Sequence, residues 1–193
     1  MTAAHKQADL LTTEEYLEGE RASEVRHEFL FGRVYAMAGA SDDHNRITGN
    51  IFGELRERLR GKRCEPFATD MKVRIRQPNS DVFYYPDVLV ACDPADNEKY
   101  FRERPTVIFE VLSPDTERTD RREKAMAYFQ ILSVQLYLLV EQDKPRITLL
   151  RRADAGWQME VLEGRSAVLK LEALGVEIPF ERIYERTAVW TTA

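Results

Sequence analysis

Cysteine is scarce in this chain. There are two, Cys64 and Cys92, with no CxxC pair and no Cys/His spacing of a zinc site. The expectation is therefore two unpaired thiols in a reducing compartment. Internal repeats, low-complexity tracts and long apolar runs are missing as well. The longest apolar stretch, Ile131 to Val140, is broken by Ser133 and Gln135. It is too short for a bilayer span, which needs about 20 residues. Residues 1–10 lack the charged-then-apolar layout of a signal peptide, so the expected setting is the cytoplasm, with no membrane partner. An excess of positive charge is absent too. The formal net charge is -5, which excludes a generally basic body, so any nucleic-acid contact has to come from a local basic patch.

What is present is the material of a folded protein: 193 residues, 44% hydrophobic and 32% charged. The length suits one domain over 1–193, with a core over about 25–152 and a C-terminal hairpin and tail over 153–193. Leu11-Thr12-Thr13-Glu14-Glu15 carries the capping pattern of a short helix. Phe29 to Met37 reads as two strand pieces around Gly32. Ser41-Asp42-Asp43 offers caps for a helix from about His44 to Leu59, where Ile47, Ile51, Phe52, Leu55 and Leu59 recur at helical spacing. Met71 to Arg76 alternates, with Met71, Val73 and Ile75 on one face and Lys72, Arg74 and Arg76 on the other. Val82 to Ala91 and Thr106 to Leu112 are almost continuously apolar and read as central strands buried on both faces. A helix over about Asp120 to Ile131 follows, with Leu132 completing its apolar spacing, then a strand at Leu136 to Val140. Arg146 to Arg151 and Trp157 to Leu162 read as an antiparallel hairpin, and a short strand and helix complete the tail. This order predicts a mixed α/β core.

Charge inside strands that should be buried is the informative anomaly. Asp87 interrupts one apolar run and Glu110 the next. Burying an unpartnered carboxylate costs several kcal/mol. Two acids converging at one sheet edge would hold a hard divalent cation, since Mg²⁺ takes one or two carboxylates, keeps several waters and leaves room for a phosphate. The alternative is that each acid is capped by backbone N–H groups or paired with an arginine. Further on, Asp120 and Glu123 have the spacing of an N-cap and its N3 partner, and Lys124 that of an exposed i, i+4 partner of Asp120. Arg118, Arg121 and Arg122 form a basic cluster suited to phosphate contacts or to a solvated helix start.

Pro86-Asp87, then Phe109-Glu110-Val111-Leu112-Ser113-Pro114, then Asp120-Arg121-Arg122-Glu123-Lys124 resembles the Uma2 family of endonuclease-like proteins, placed in the PD-(D/E)XK nuclease superfamily. The similarity runs from Leu11-Thr12 to about Arg152. It implies a restriction-endonuclease-like mixed sheet flanked by helices, with Mg²⁺ (or Mn²⁺) on Asp87 and Glu110 and nucleic acid, DNA first, as the substrate. The superfamily places a lysine two residues after the second acid, where this chain has Leu112. The resemblance implies that Lys124 supplies that cation from the following helix. Glu28 matches an early acid that completes the metal shell, and His44 a residue that orients a ligand, contacts phosphate or serves only as a structural histidine. Two other functions stay open: a catalytically inactive binding or assembly module, and a phosphodiesterase acting on RNA or small nucleotides. Trp157, Leu162, Leu169, Leu171 and Trp190 either cover a homodimer interface or close the domain's own core.

Overall fold

A computed structural model describes residues 10–191 except 38, 79 and 115. Apart from Leu10, the stretch read above for a signal peptide lies outside the described residues. The chain opens with helix α1 (Thr13–Ala22), closed by a capping box between Thr12 and Glu15. Strands β1 (His27–Leu30) and β2 (Arg33–Ala36) form a hairpin. Phe31 and Gly32 make its two-residue turn, both with positive φ, the geometry of a tight primed turn. Gly32 cannot be replaced there, because an added Cβ would lie 2.7 Å from the Leu10 Cβ.

Helix α2 (Asp42–Arg58) is capped by the Ser41 hydroxyl, which accepts from the His44 N–H. Strands β3 (Glu65–Ala68), β4 (Lys72–Ile75), β5 (Val82–Tyr84), β6 (Val88–Ala91), β7 (Phe101–Arg102) and β8 (Pro105–Leu112) follow. A continuous helical stretch comes next: α3 (Glu117–Thr119), a π turn (Asp120–Lys124) and α4 (Ala125–Tyr128). Strands β9 (Leu136–Glu141), β10 (Arg146–Ala153), β11 (Gly156–Glu163), β12 (Val168–Leu171) and β13 (Val176–Pro179) precede two short helices, α5 (Phe180–Ile183) and α6 (Ala188–Thr191). Among the described residues, no helix is long and apolar enough to cross a membrane.

The strands form a five-stranded sheet in the order β2-β1-β5-β4-β7, a six-stranded sheet in the order β11-β10-β9-β8-β6-β3, and a separate β12-β13 pair. Residues 82–91, expected as one strand, are two strands in different sheets. Pro86 has no N–H to give a ladder, so pairing stops at Tyr85-Pro86-Asp87 and the chain passes from one sheet to the other. The strands β3, β7 and β13 had no clear periodic signal, being short or interrupted by proline.

Alternation along β8 divides its neighbours. Val107, Phe109 and Val111 pack with Ile47, Ile51 and Leu55 of α2. Ile108 and Leu112 pack with Ala125 and Tyr128 on the other side. The β10-β11 hairpin continues the six-stranded sheet. Leu169, Leu171, Phe180 and Ile183 are buried in the same core as α2, with Trp190 packed against it, while Trp157 stacks on Phe129 at 4.0 Å. These tail residues thus close the chain's own core. Leu132 lies beyond the helix and is 83% exposed. Lys72, on the basic face of β4, is buried and donates to the Tyr85 hydroxyl at 3.1 Å.

The unpaired-thiol expectation is overturned: Cys64 and Cys92 form a disulfide. β3 pairs antiparallel with β6, with Glu65 opposite Ala91, so the residues one step out, Cys64 and Cys92, face each other with Cα atoms 4.0 Å apart. Cysteine spacing in sequence carried no trace of this register.

Glu54 of α2 is buried and receives Arg58 at 2.7 Å and Arg182 at 2.7 Å. Burial opposes its charge, but the two guanidinium groups outweigh that and hold the carboxyl below the usual glutamate range. A depressed carboxyl stabilises the fold above its unfolded pKa of about 4.3 and loses that contribution as pH falls through the folded value. Thermal melts should therefore show Glu54→Gln below wild type at neutral pH, with the gap closing under acid conditions. A gap independent of pH would refute the ion-pair account.

Candidate active site

Asp87 stands where the two sheets part, just before β6. Val88 pairs with Phe109, so one further step of the same antiparallel register brings Asp87 alongside Glu110. The Val111 N–H donates to Asp87 Oδ2 at 2.7 Å, and His44 Nε2 lies 3.3 Å from the same oxygen. Capping by Ser41 fixes the first turn of α2 and so aims His44 at Asp87. Burial works against a charged His44, yet hydrogen bonding to Asp87 and to the Val111 backbone wins, and its pKa rises.

Glu110 shares the β8 face of Ile108 and Leu112, toward the helical stretch. It is 2% exposed and accepts from the Tyr128 hydroxyl at 3.2 Å. Lys124 Nζ lies 3.4 Å from Glu110, 3.1 Å from Glu28 and 3.1 Å from Asp120. Its ammonium also sits 5.6 Å from the centre of the Tyr84 ring, a cation–π distance. Lys124 is therefore buried among three acids from two strands and its own helix, not exposed. Asp120 lies inside the helix, whose first turn starts at Glu117, so it is not the N-cap. The π turn over residues 120–124 widens the helix where Asp120 and Lys124 point inward, a distortion often found at functional sites.

Three carboxylates surround one lysine, and Asp87 stands beside Glu110. Burial pushes the Glu110 pKa well up, and the charges of Asp120, Asp87 and Glu28 push it further against the opposing pull of Lys124. Burial disfavours the Lys124 ammonium, but Glu110, Asp120 and Glu28 overcome this and hold it protonated. Both directions have one origin, an excess of acids over cations in a desolvated space. Among the described residues neither Asp87 nor Glu110 is paired with an arginine, but Asp87 does accept a backbone N–H, that of Val111, so the capping half of the alternative applies to it.

The basic cluster is divided. Arg121 is tied to Glu117 at 2.7 Å and to Glu141 at 2.5 Å. Arg118 and Arg122 are exposed. Tyr128 is a site residue that the sequence reading does not single out. Its place four residues after Lys124, which is itself four after Asp120, was the signal that it shares their helix face.

Among the described residues, no three His, Cys, Asp or Glu side chains are grouped closely enough to form a ready cation cage. The donor set still fits a hard divalent ion, because Asp87 and Glu110 are oxygen ligands and Mg²⁺ needs only one or two of them. Asp120 Oδ1 is buried without an aligned hydrogen bond and has Lys124 Nζ as its ion-pair partner. Glu28, like Glu110, is engaged by Lys124.

Comparison with known proteins bears on the family and the fold. The chain is 34% identical over 179 residues to the uncharacterized protein slr1290 of Synechocystis sp., covering 92% of this chain and 93% of that one. It is 31% identical over 171 residues to sll1609 of the same organism, covering 86% and 96%. Its fold matches the crystal structure of a putative nuclease belonging to DUF820 from Anabaena variabilis, with a TM-score of 0.72 at 15% identity over 90% of this chain and 97% of that one. The fold is thus the restriction-endonuclease-like mixed α/β sheet. Residues 13–181 match the model of the Uma2 family, described as putative restriction endonuclease, and over that span the chain belongs to the Uma2 family.

Proposed function

We propose that this protein hydrolyses phosphodiester bonds in a metal-dependent reaction, with DNA as the substrate. The observation that carries this is the convergence of Glu110, Glu28 and Asp120 on one buried lysine, with Asp87 alongside Glu110 and His44 behind Asp87. Asp87 and Glu110 would hold Mg²⁺ or Mn²⁺, which supplies charge neutralisation at the phosphate and a more acidic water. The Val111 N–H and His44 both engage Asp87 Oδ2 and so fix the carboxylate. Tyr128 orients Glu110 through its hydroxyl. Lys124, held protonated by three acids, presents positive charge for the developing negative charge on the phosphoryl oxygens. Its position on the helix compensates for Leu112 on β8, whose side chain lies on the same strand face as Glu110.

The test is cleavage of single- and double-stranded DNA, RNA and small phosphodiesters with Mg²⁺ or Mn²⁺, with and without chelator. DNA cleavage that requires metal and disappears in Asp87→Ala is the expected result. Equal activity in that variant would refute the role given to Asp87, and preferential cleavage of RNA or a small diester would redirect the substrate. A second reading, a nuclease fold kept as a binding module, is favoured by Leu112 at the usual lysine position. Calorimetry separates the two: the hydrolytic reading requires Mg²⁺ or Mn²⁺ binding that weakens in Asp87→Ala.

A further inference from the structure

We propose that the β1–β2 hairpin is the nucleic-acid grip of this site, with Tyr35 stacking on an unpaired base and Arg33 holding the adjoining phosphate. The inference rests on the phosphodiesterase reading for the position of the scissile bond. Glu28 pairs with Tyr35 and Leu30 with Arg33 across the hairpin. Directly opposed residues in an antiparallel pair lie on the same face. That face is the one turned to the active site, because Glu28 reaches Lys124 at 3.1 Å and Leu30 packs on the cluster holding Tyr84, Ala125 and Tyr128. Phe29 takes the opposite face and packs with Tyr16 and Phe83. Tyr35 and Arg33 therefore continue the acid-lined surface outward along β2, the free edge of its sheet.

Exposure points the same way. The side chains of Glu28 and Asp87 are 16% and 17% exposed, against 3% for Glu110 and 2% for Asp120. Glu28, Tyr35's cross-strand partner, is thus among the site residues that solvent reaches. Tyr35 is 51% exposed. Arg33 is exposed and, among the described residues, enters no ion pair, whereas Arg26, Arg46, Arg74 and Arg121 are each tied to a carboxylate. An open aromatic ring offers a base a stacking surface without regard to sequence. A guanidinium without an internal counterion suits a phosphate. The two-residue turn at Phe31-Gly32 locks the register, so the two side chains are held in line with Glu28 rather than on a loose loop. In a chain of net charge -5, broad electrostatic attraction to a duplex is lacking, and stacking on an unpaired base is the interaction this surface can supply. The substrate class that follows is a single strand, or a duplex with an unpaired base beside the cleaved bond.

The test is binding by the full chain, with Ca²⁺ replacing Mg²⁺, of a single-stranded DNA carrying a fluorescent adenine analogue and of the same strand in a duplex. The expected result is tighter binding and stronger quenching for the single strand. Tyr35→Ala should weaken that binding about tenfold or more, with Tyr35→Phe retaining it. Arg33→Gln should lower the salt dependence by about one phosphate contact. Wild-type binding and quenching in Tyr35→Ala, a preference for intact duplex, or no binding by wild type would each overturn the proposal. Cleavage of the same strands with Mg²⁺ is followed in parallel. Loss of cleavage in Asp87→Ala together with an unaffected Tyr35→Ala would sink the hairpin grip alone and leave the hydrolytic reading standing.

Discussion

Replacing Lys124 by alanine is expected to destabilise the fold by about 3–5 kcal/mol and to abolish cleavage. Removing one partner of a buried ionic cluster leaves the others uncompensated, and that is the range such losses take. Here three acids, Glu28, Glu110 and Asp120, lose the one cation that, among the described residues, they are paired with. Denaturant unfolding reads the stability and a metal-dependent assay reads the activity. The acids should behave in the opposite sense. Glu110 is already pushed toward its neutral form by burial and by the neighbouring acids, so at neutral pH its charge costs stability, increasingly as pH rises from the unfolded pKa toward the folded one. Glu110→Gln should therefore match or exceed wild-type stability while cleaving nothing. That pattern, stability gained as function is lost, marks a site kept charged for chemistry. If Lys124→Ala melted like wild type, the lysine would not be the counter-charge that the distances indicate. If Glu110→Gln were much less stable, Glu110 would be a structural acid.

Reducing the Cys64–Cys92 disulfide, or changing both residues to serine, is expected to cost about 3–4 kcal/mol, from the loop entropy of a link spanning 28 residues. For a chain of this size that corresponds to a fall in melting temperature of very roughly 10 °C. The bond staples the outer end of β3 to β6. At the inner end of the same pair, the Thr69 N–H donates to the Asp87 carbonyl at 3.0 Å. Loosening this edge strand should thus also reach the residue proposed to bind metal, and reduced protein should show weaker Mn²⁺ binding by calorimetry as well as a lower melting temperature. Identical melts with and without reductant would mean that the bond contributes nothing to the native state. The stabilisation should act on the unfolded chain, so unfolding by denaturant should shift in midpoint and also steepen on reduction, as a less restrained unfolded ensemble exposes more surface.

Much of the secondary structure was legible because its causes are local. Ser41 accepting from the His44 N–H, the helical spacing of Ile47, Ile51 and Leu55, the hairpin around Gly32 and the apolar run ending at Leu112 all depend on neighbours within a few residues. Acids inside apolar strands, at Asp87 and Glu110, were visible for the same reason: a charge in a buried run is an anomaly wherever the strand goes. The Uma2 pattern added the expectation for Lys124. Where the local pattern pointed one way and long-range packing another, local inference failed. Asp120 and Lys124 have the spacing of an exposed capped helix start, yet the helix begins earlier and turns both inward. Arg121 reads as a free cation beside a phosphate site, but Glu141, twenty residues on, takes it.

The sequence by itself determined the mixed α/β class, the main helices and strands, and two of the acids, because periodicity, capping and the cost of buried charge act over a turn or a strand at a time. Only the tertiary structure decided that residues 82–91 part into two sheets at Pro86, that Cys64 meets Cys92, that Lys124 collects Glu28, Glu110 and Asp120, and that Tyr35 lies across from Glu28. Each of these depends on register between segments distant in the chain or on the choice of sheet, and a single residue's slip in that register would turn every one of those side chains to the opposite face.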